Sequence, residues 1–429
     1  MLSDLKGKKL LLLSGNAGTI DLIERCHEFG IIVYVTDYLK DSPGKKYADK
    51  SFMISTNDVD AVVDLCKSEE IDGVLTVNID FLLPYYCKIC SKYNVPCYGS
   101  LESFIETIDK KKFKNTCKKY GVPTTNEYSY EELKNNQKLF PVIVKPVDSS
   151  SSRGITVCDN VEQLDLAIDY ALVFSKSKEY IIEKYMTGQE VVAYYYFQDN
   201  NPVFIGMCDR YTGKSSNKQS KVPTAYIFPS KSTKAHIENS DQKYKHMFKE
   251  MGMQNGPIFL QCFMDNSTTY VYEPGYRLNG AREHYIYGYE LGLNSADMLV
   301  NFSLTGKMAD FNLEDKADPY LHGKFGCKLS PILGLGKVAK IEGLDKVRKI
   351  PEVIKVLPVN DVGSEVTEEK IGTLPSLAYR AYIICDTVDG LKKVIDTIQN
   401  TIKYYDENDN ELSIEKFDTS LLEIYKHQD

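Results

Sequence analysis

The sequence has no long apolar run near its beginning: four leucines at 10–13 follow a Lys-Lys pair and give way to a glycine-containing turn. That is too short for a secretory leader or for the roughly 20 residues of a membrane-spanning helix. A cytoplasmic protein without a membrane partner is therefore expected. A dense block of Lys and Arg is also missing, and the net charge is -8, which argues against nucleic acid as a partner. The 11 cysteines lack the paired short spacings of zinc or disulfide frameworks. Cys87 and Cys90 form one C-x-x-C inside an apolar, helix-like stretch, where buried reduced thiols are expected. With only six histidines, neither a Ser-His-Asp nor a Cys-His arrangement suggests itself. The first turn, Gly15-Asn16-Ala17-Gly18, lacks the middle glycine of a dinucleotide-binding G-x-G-x-x-G, although Asp37 follows at a suitable distance. A nicotinamide-dependent dehydrogenase is the weakest reading. No internal repeat is visible.

What is present is enough chain for about three domains at roughly 150 residues each, with a hydrophobic share of 43% to furnish their cores. In the first hundred residues, strand-like segments at 10–14, 31–36, 73–77 and 95–98 alternate with helical ones at 59–66 and 81–90. Continuous apolar strands separated by helices point to a doubly wound parallel sheet. Near residue 108 the pattern changes. A lysine-rich helix is expected over 109–120, stopped by Gly121 and Pro123. Strands and a serine-rich loop follow to about 274, and a third region of short strands begins beyond 315. That region holds one strong strand at 378–385 and a helix at 390–402. The polar stretch 209–220 is the best candidate for a mobile loop.

Four features carry chemistry. The first is Phe140-Pro141-Val142-Ile143-Val144-Lys145-Pro146, an apolar strand ending in a lysine, which is costly to bury unless phosphate or another anion meets it. Next comes Asp148-Ser149-Ser150-Ser151-Ser152-Arg153-Gly154, small residues whose N–H groups are able to converge on phosphate oxygens. The third is Glu183-Lys184-Tyr185-Met186-Thr187-Gly188-Gln189-Glu190, a strand–turn–strand hinge able to meet an adenine with its backbone and a ribose with a carboxylate. The fourth is a pair of strands that places Gln261 and Glu273 as oxygen donors among apolar neighbours, with Arg277 following. Mg²⁺ bridging nucleotide phosphates suits such a sparse oxygen set. Taken singly, each has a bland reading: a snorkelling lysine, a flexible loop, a hairpin.

In this order the four features resemble the ATP-grasp superfamily, and the hinge has the spacing seen in D-alanine–D-alanine ligases. The resemblance implies an α/β (α+β) ATP-grasp fold in three parts. These are an N-terminal doubly wound parallel α/β domain (1–107), a central two-subdomain ATP-binding region (108–315, with a small lid at about 118–188) and a C-terminal α+β domain (316–429). The C-terminal part resembles the biotin carboxylase and amino-acid ligase branches. It also implies roles. Lys110 and Lys145 would contact ATP phosphates, with Ser151, Ser152, Arg153 and Gly154 in the phosphate loop. Glu183 would take the adenine amino group, assisted by the backbone of Lys184 and Met186, and Glu190 the ribose. Gln261 and Glu273 would hold Mg²⁺ or Mn²⁺, as the glutamine does in carbamoyl phosphate synthetases. Arg277, Arg282 and Lys145 would serve catalysis. The family's Glu-x-Asn-x-Arg pattern has Gly275 in place of its asparagine, and Asn279 is the nearest substitute as a metal ligand.

The activity implied is an ATP-dependent ligase joining a small-molecule carboxylate to an amine through an acyl phosphate. A small amino acid or sugar acid is the expected carboxylate, a small amine or amino acid the acceptor, and a homodimer the assembly common in such relatives. Two alternatives remain: a carboxylase or carbamoyl-phosphate-type enzyme, and a non-catalytic ATP-binding module suggested by Gly275.

Overall fold

The computed structural model describes residues 2–148, 153–213 and 222–426. Near its N-terminus β1 (Lys9–Leu13), β2 (Ile32–Thr36), β3 (Lys50–Phe52) and β4 (Gly73–Leu75) form a wholly parallel sheet in the order β3-β2-β1-β4. Leu10, Leu11, Leu12 and Leu13 are all fully buried, as expected of a central strand covered on both faces. Two details differ from the sequence reading. Lys50–Phe52 is the edge strand, and its exposed Lys-Ser-Phe carries no apolar run to announce it. Residues 95–98 form no strand. Their apolar character serves a different purpose, because Tyr98 is buried in a cluster with Tyr86, Phe104 and Tyr276, at ring-centroid distances of 5.5, 5.2 and 5.4 Å. Tyr98 Oη donates to the Tyr276 carbonyl (3.0 Å) and Tyr276 Oη to the Tyr98 carbonyl (3.1 Å). This reciprocal pair fastens the N-terminal region to the strand end from which Arg277 emerges.

The lysine-rich helix runs Lys110–Lys119, its N-terminus capped by Asp109, which accepts from Lys112 N–H at 3.0 Å. It leads into a small antiparallel sheet of β5 (Val142–Pro146), β6 (Thr156–Cys158) and β7 (Tyr180–Lys184) in the order β6-β5-β7. The helix Leu164–Phe174 covers one face through Leu164, Ala167 and Ala171.

The dominant element is an eight-stranded sheet. It contains β8 (Gln189–Gln198), β9 (Asn201–Thr212), β10 (Pro223–Phe228), β11 (Gly256–Asp265), β12 (Thr268–Gly275) and β13 (Phe325–Leu329). Its order is β12-β11-β8-β9-β10-β13, completed by Tyr379–Cys385 and Val353–Pro358. The strands after residue 315 thus extend the sheet begun by the central region, and a separate core closes behind them, packed by the helix Val388–Thr401. The stretch 209–220, expected as a mobile loop, begins within a strand. Asp209–Thr212 finishes β9, and the fully buried Asp209 accepts from Ser230 Oγ and Tyr425 Oη. Residues 214–221 lie outside the described residues.

The turn between β7 and β8 requires Gly188. A Cβ there would stand 2.4 Å from the Met264 carbonyl oxygen, a backbone atom that cannot swing aside. Gly188→Ala is expected to lower unfolding free energy by about 1–3 kcal/mol, the usual cost of overpacking. Urea unfolding measures this, and an unchanged midpoint would show that the hinge yields.

Candidate active site

Glu183 is central. It lies on β7 opposite Ile143 of β5, with a side chain only 2% exposed. One carboxylate oxygen meets Lys114 Nζ from the helix Lys110–Lys119, and the other meets Lys145 Nζ from β5. Lys114 also reaches Glu127 at 3.1 Å, and Glu127 accepts from Lys118 at 2.8 Å. Burial pushes the Glu183 carboxyl up, but Lys145 and Lys114 outweigh it and bring its pKa down to about 2. The carboxylate nominated for adenine is thus engaged by two lysines, one of them Lys145, nominated for phosphate.

Lys110 opens the same helix, four residues before Lys114 and on its face. Burial lowers its pKa, Lys145 reinforces this, and Glu273, Glu183 and Asp148 act against it. These opposing charges mark one electrostatic neighbourhood, reached from the helix, β5, β7 and β12. Asp148 accepts from Ser175 Oγ (2.9 Å) and from the N–H groups of Lys176 (3.1 Å) and Ser177 (2.8 Å), which fixes the start of the serine loop. Ser151 and Ser152 lie outside the described residues. Arg153 is exposed, and Gly154 is buried with φ +76°, its α-carbon packed toward Phe174 and Pro146. Lys184 is exposed and its N–H donates to the Asn126 carbonyl at 2.9 Å, while Met186 is buried. Glu190 forms an ion pair with Arg210 of β9.

At the end nominated for a metal, Gln261 of β11 and Glu273 of β12 are direct register partners. Tyr272 Oη donates to Gln261 Oε1 at 3.0 Å. A carboxylate and an amide oxygen side by side fit one divalent cation whose remaining ligands come from phosphate and water. The position of the missing asparagine does not fit a further ligand. Gly275 pairs with Phe259, whose ring lies 2.2 Å from where a Gly275 Cβ would be, so the phenyl fills the space of a side chain. Asn279 turns elsewhere: its Oδ1 accepts from Ala281 N–H (3.0 Å) and its Nδ2 approaches Tyr194 Oη (3.4 Å).

Both arginines nominated for catalysis bridge to the N-terminal region. Arg277 makes a two-pronged pair with Asp80, 2.7 Å on each side, and Arg282 meets Asp21 at 3.0 Å. Arg282 sits at φ 60°, a left-handed conformation uncommon for a bulky residue. Beside it opens a cavity of ≈ 320 Å³ between the two regions, lined by Asp21, Asn78, Asn279, Arg282, His284 and Tyr285 among others. Burial lowers the His284 pKa to about 4, so its imidazole is neutral there. The tyrosine-rich stretch after Arg282 therefore reaches a cavity through Tyr285 and Tyr289. Lys114, Arg210, Asp21 and Asp80 were not nominated from sequence. The four-residue step from Lys110 signals Lys114; nothing local signals the other three.

These elements correspond to known proteins. Residues 138–281 match the family model described as ATP-grasp domain, and the chain carries such a domain. It is similar to formate-dependent phosphoribosylglycinamide formyltransferase of Prochlorococcus marinus, 29% identical over 178 residues, covering 40% of this chain and 45% of that protein. A D-alanine–D-alanine ligase of Fusobacterium nucleatum is 38% identical over 94 residues, covering 22% of this chain and 29% of the relative. Among solved structures, the L-amino acid ligase of Bacillus licheniformis superposes with a TM-score of 0.76 at 18% identity, covering 94% of this chain and 100% of that one. That likeness establishes the ATP-grasp fold. The chain spans about half or less of the length of these curated relatives.

Glu183→Gln leaves Lys114 and Lys145 without their shared carboxylate, and a loss of about 3–5 kcal/mol is expected at neutral pH. Because the folded pKa is depressed, this contribution is complete above the ordinary value of 4.5 and fades as pH falls toward about 2. Urea unfolding of wild type and variant between those pH values checks both statements. Equal stabilities throughout would contradict them.

Proposed function

We propose that the chain is an ATP-dependent ligase that joins a carboxylate to an amine, releasing ADP and phosphate. The observation that carries this reading is the gathering of Lys110, Lys145 and Glu273 around one site, with Gln261 the register partner of Glu273. The names of the similar proteins include two ligases, which supports the same chemistry. The proposed organisation is the threefold division at 1–107, 108–315 and 316–429, with residues 118–188 as the lid.

In this reading Lys110, Lys145 and the Arg153–Gly154 end of the serine loop hold the phosphates, and the hinge from Lys184 to Glu190 meets the nucleoside. Gln261 and Glu273 would hold Mg²⁺ or Mn²⁺, which supplies charge neutralisation on the phosphates. An oxygen of the acid attacks the terminal phosphorus, and ADP leaves. The amine then attacks the acyl carbon, forming the C–N bond as phosphate departs with the former carboxylate oxygen. The protein's task is positioning and electrostatic stabilisation, without a covalent nucleophile. The cavity beside Arg282 is the proposed acceptor pocket, and a small amino acid or sugar acid with a small amine remains the proposed pairing. No described helix is long and apolar enough to cross a membrane. A cytoplasmic setting and a homodimer are part of the proposal.

One observation favours a second reading. With Phe259 filling the space beside Gly275, fewer oxygen donors face the metal, which suits a nucleotide-binding protein without turnover. Release of ADP and phosphate, measured over a matrix of carboxylates and amines with Mg-ATP, decides between them. The ligase is expected to need one acid and one amine and to lose about 100-fold or more in kcat on Glu273→Ala. Tight ATP binding with no turnover over the whole matrix would favour the second reading.

A further inference from the structure

The sheet face that carries Gln261 and Glu273 continues, by strand register, into the C-terminal strands. Val192 of β8 pairs with Gln261, and Glu190 lies two residues along on the same face. Its ion-pair partner Arg210 is opposite Tyr226 of β10, Tyr226 is opposite Lys328 of β13, and Lys328 is opposite Tyr382. Arg380, two residues before Tyr382, shares this face and is a diagonal neighbour of Lys328.

The charges along this row do not balance. Glu190 answers Arg210. Lys328 is only 3% exposed, and its Nζ lies 4.5 Å from the centroid of the Tyr226 ring. No acid of the described residues pairs with it, and the charges that bear on it most are those of Arg380 and Arg210. Arg380 likewise has no ion pair among the described residues, and its buried Nε has no hydrogen-bond partner there. Buried cations are normally paired. Lys328 is buried and Arg380 half-buried, and two such neighbouring cations with no carboxylate among the described residues are a sign of an anionic ligand. Arg277 does not fill this role in the present arrangement, because its guanidinium is committed to Asp80.

We propose that Lys328 and Arg380 form an oxyanion site that binds a carboxylate or phosphate-ester group of the acid substrate. The proposal rests on the ligase reading for the word substrate, but the site itself is defined by the two cations. Arginine supplies a planar donor fork and lysine a point charge, a pair suited to one oxyanion. Tyr226 and Tyr382 flank Lys328 and limit water, which strengthens such an interaction. A substrate lacking any anionic group would leave both cations unmet.

The test uses the full chain and simple probes. Succinate represents the carboxylate source, glycerol 3-phosphate the phosphate source, and ethanolamine is the uncharged-oxygen control. Each is titrated calorimetrically into wild type, Lys328→Met, Arg380→Met and Lys328→Arg, and binding of a fluorescent ADP analogue is measured in the same preparations. One of the two anions is expected to bind wild type and to bind either Met variant about ten-fold or more weakly. Lys328→Arg is expected to recover most of the loss, ethanolamine to give no heat, and ADP-analogue affinity to stay unchanged. Lys328→Met is expected to melt no lower than wild type without an anion, since it removes an unmet buried charge. Absence of binding by both anions to wild type, or equal binding by wild type and both Met variants, would overturn the site. Failure of the ADP analogue to bind wild type would instead overturn the ligase reading, while the anion titrations still judge the site.

Discussion

The carboxylate of Glu183, held between Lys114 and Lys145, is the contact on which the arrangement of the proposed nucleotide site depends. It joins the helix Lys110–Lys119 to the small three-stranded sheet, and so places Lys110 and Lys145 in one neighbourhood although 35 residues separate them. A buried ion pair of this kind adds little net stability compared with apolar packing, but removing one partner is costly. Its structural consequence is to hold Lys110 and Lys145, the two cations proposed to meet phosphate, near one another. The same device recurs at the other side of the site. Arg277 with Asp80, Arg282 with Asp21 and Arg25 with Asp297 fasten the parallel sheet region to the central one.

Local patterns made part of this legible in sequence. Three buried strands of the parallel sheet announce themselves as continuous apolar runs, because both their faces are covered. The edge strand Lys50–Phe52 does not, since an exposed edge needs no apolar residues. Residues 95–98 look like a strand for the opposite reason: they are apolar because Tyr98 enters an aromatic cluster. At the site, Lys145, Glu183 and the Gln261–Glu273 pair are visible as motifs because each belongs to one strand or one hairpin. Their long-range partners are not. Nothing near Asp80 shows that it will meet Arg277, and nothing near Arg210 shows that it will answer Glu190. Such pairings are set by how strands and loops stack, which local sequence does not encode.

Gly275 illustrates the boundary between the two. Sequence alone reveals that an oxygen donor is missing from the Glu-x-Asn-x-Arg pattern. Only the register of β11 and β12 reveals that Phe259 occupies the space, so the substitution belongs to a repacked pair of strands. The consequence is a proposed metal site with Gln261 and Glu273 as its oxygen donors, beside a sheet face that carries Arg210, Lys328 and Arg380.

The central proposal is that this cation-lined site transfers the terminal phosphoryl group of ATP to an acid before any amine takes part. Positional isotope exchange tests it most directly. ATP labelled with ¹⁸O in the non-bridging oxygens of the β-phosphoryl group is incubated with Mg²⁺, the chain and one acid at a time, with the amine withheld. The account predicts that, for the cognate acid, label moves into the β–γ bridge through reversible acyl-phosphate formation, and that Lys145→Met abolishes the movement. An enzyme that forms product when both substrates are supplied, yet never scrambles label with the acid alone under conditions where bound ADP turns freely, would contradict it.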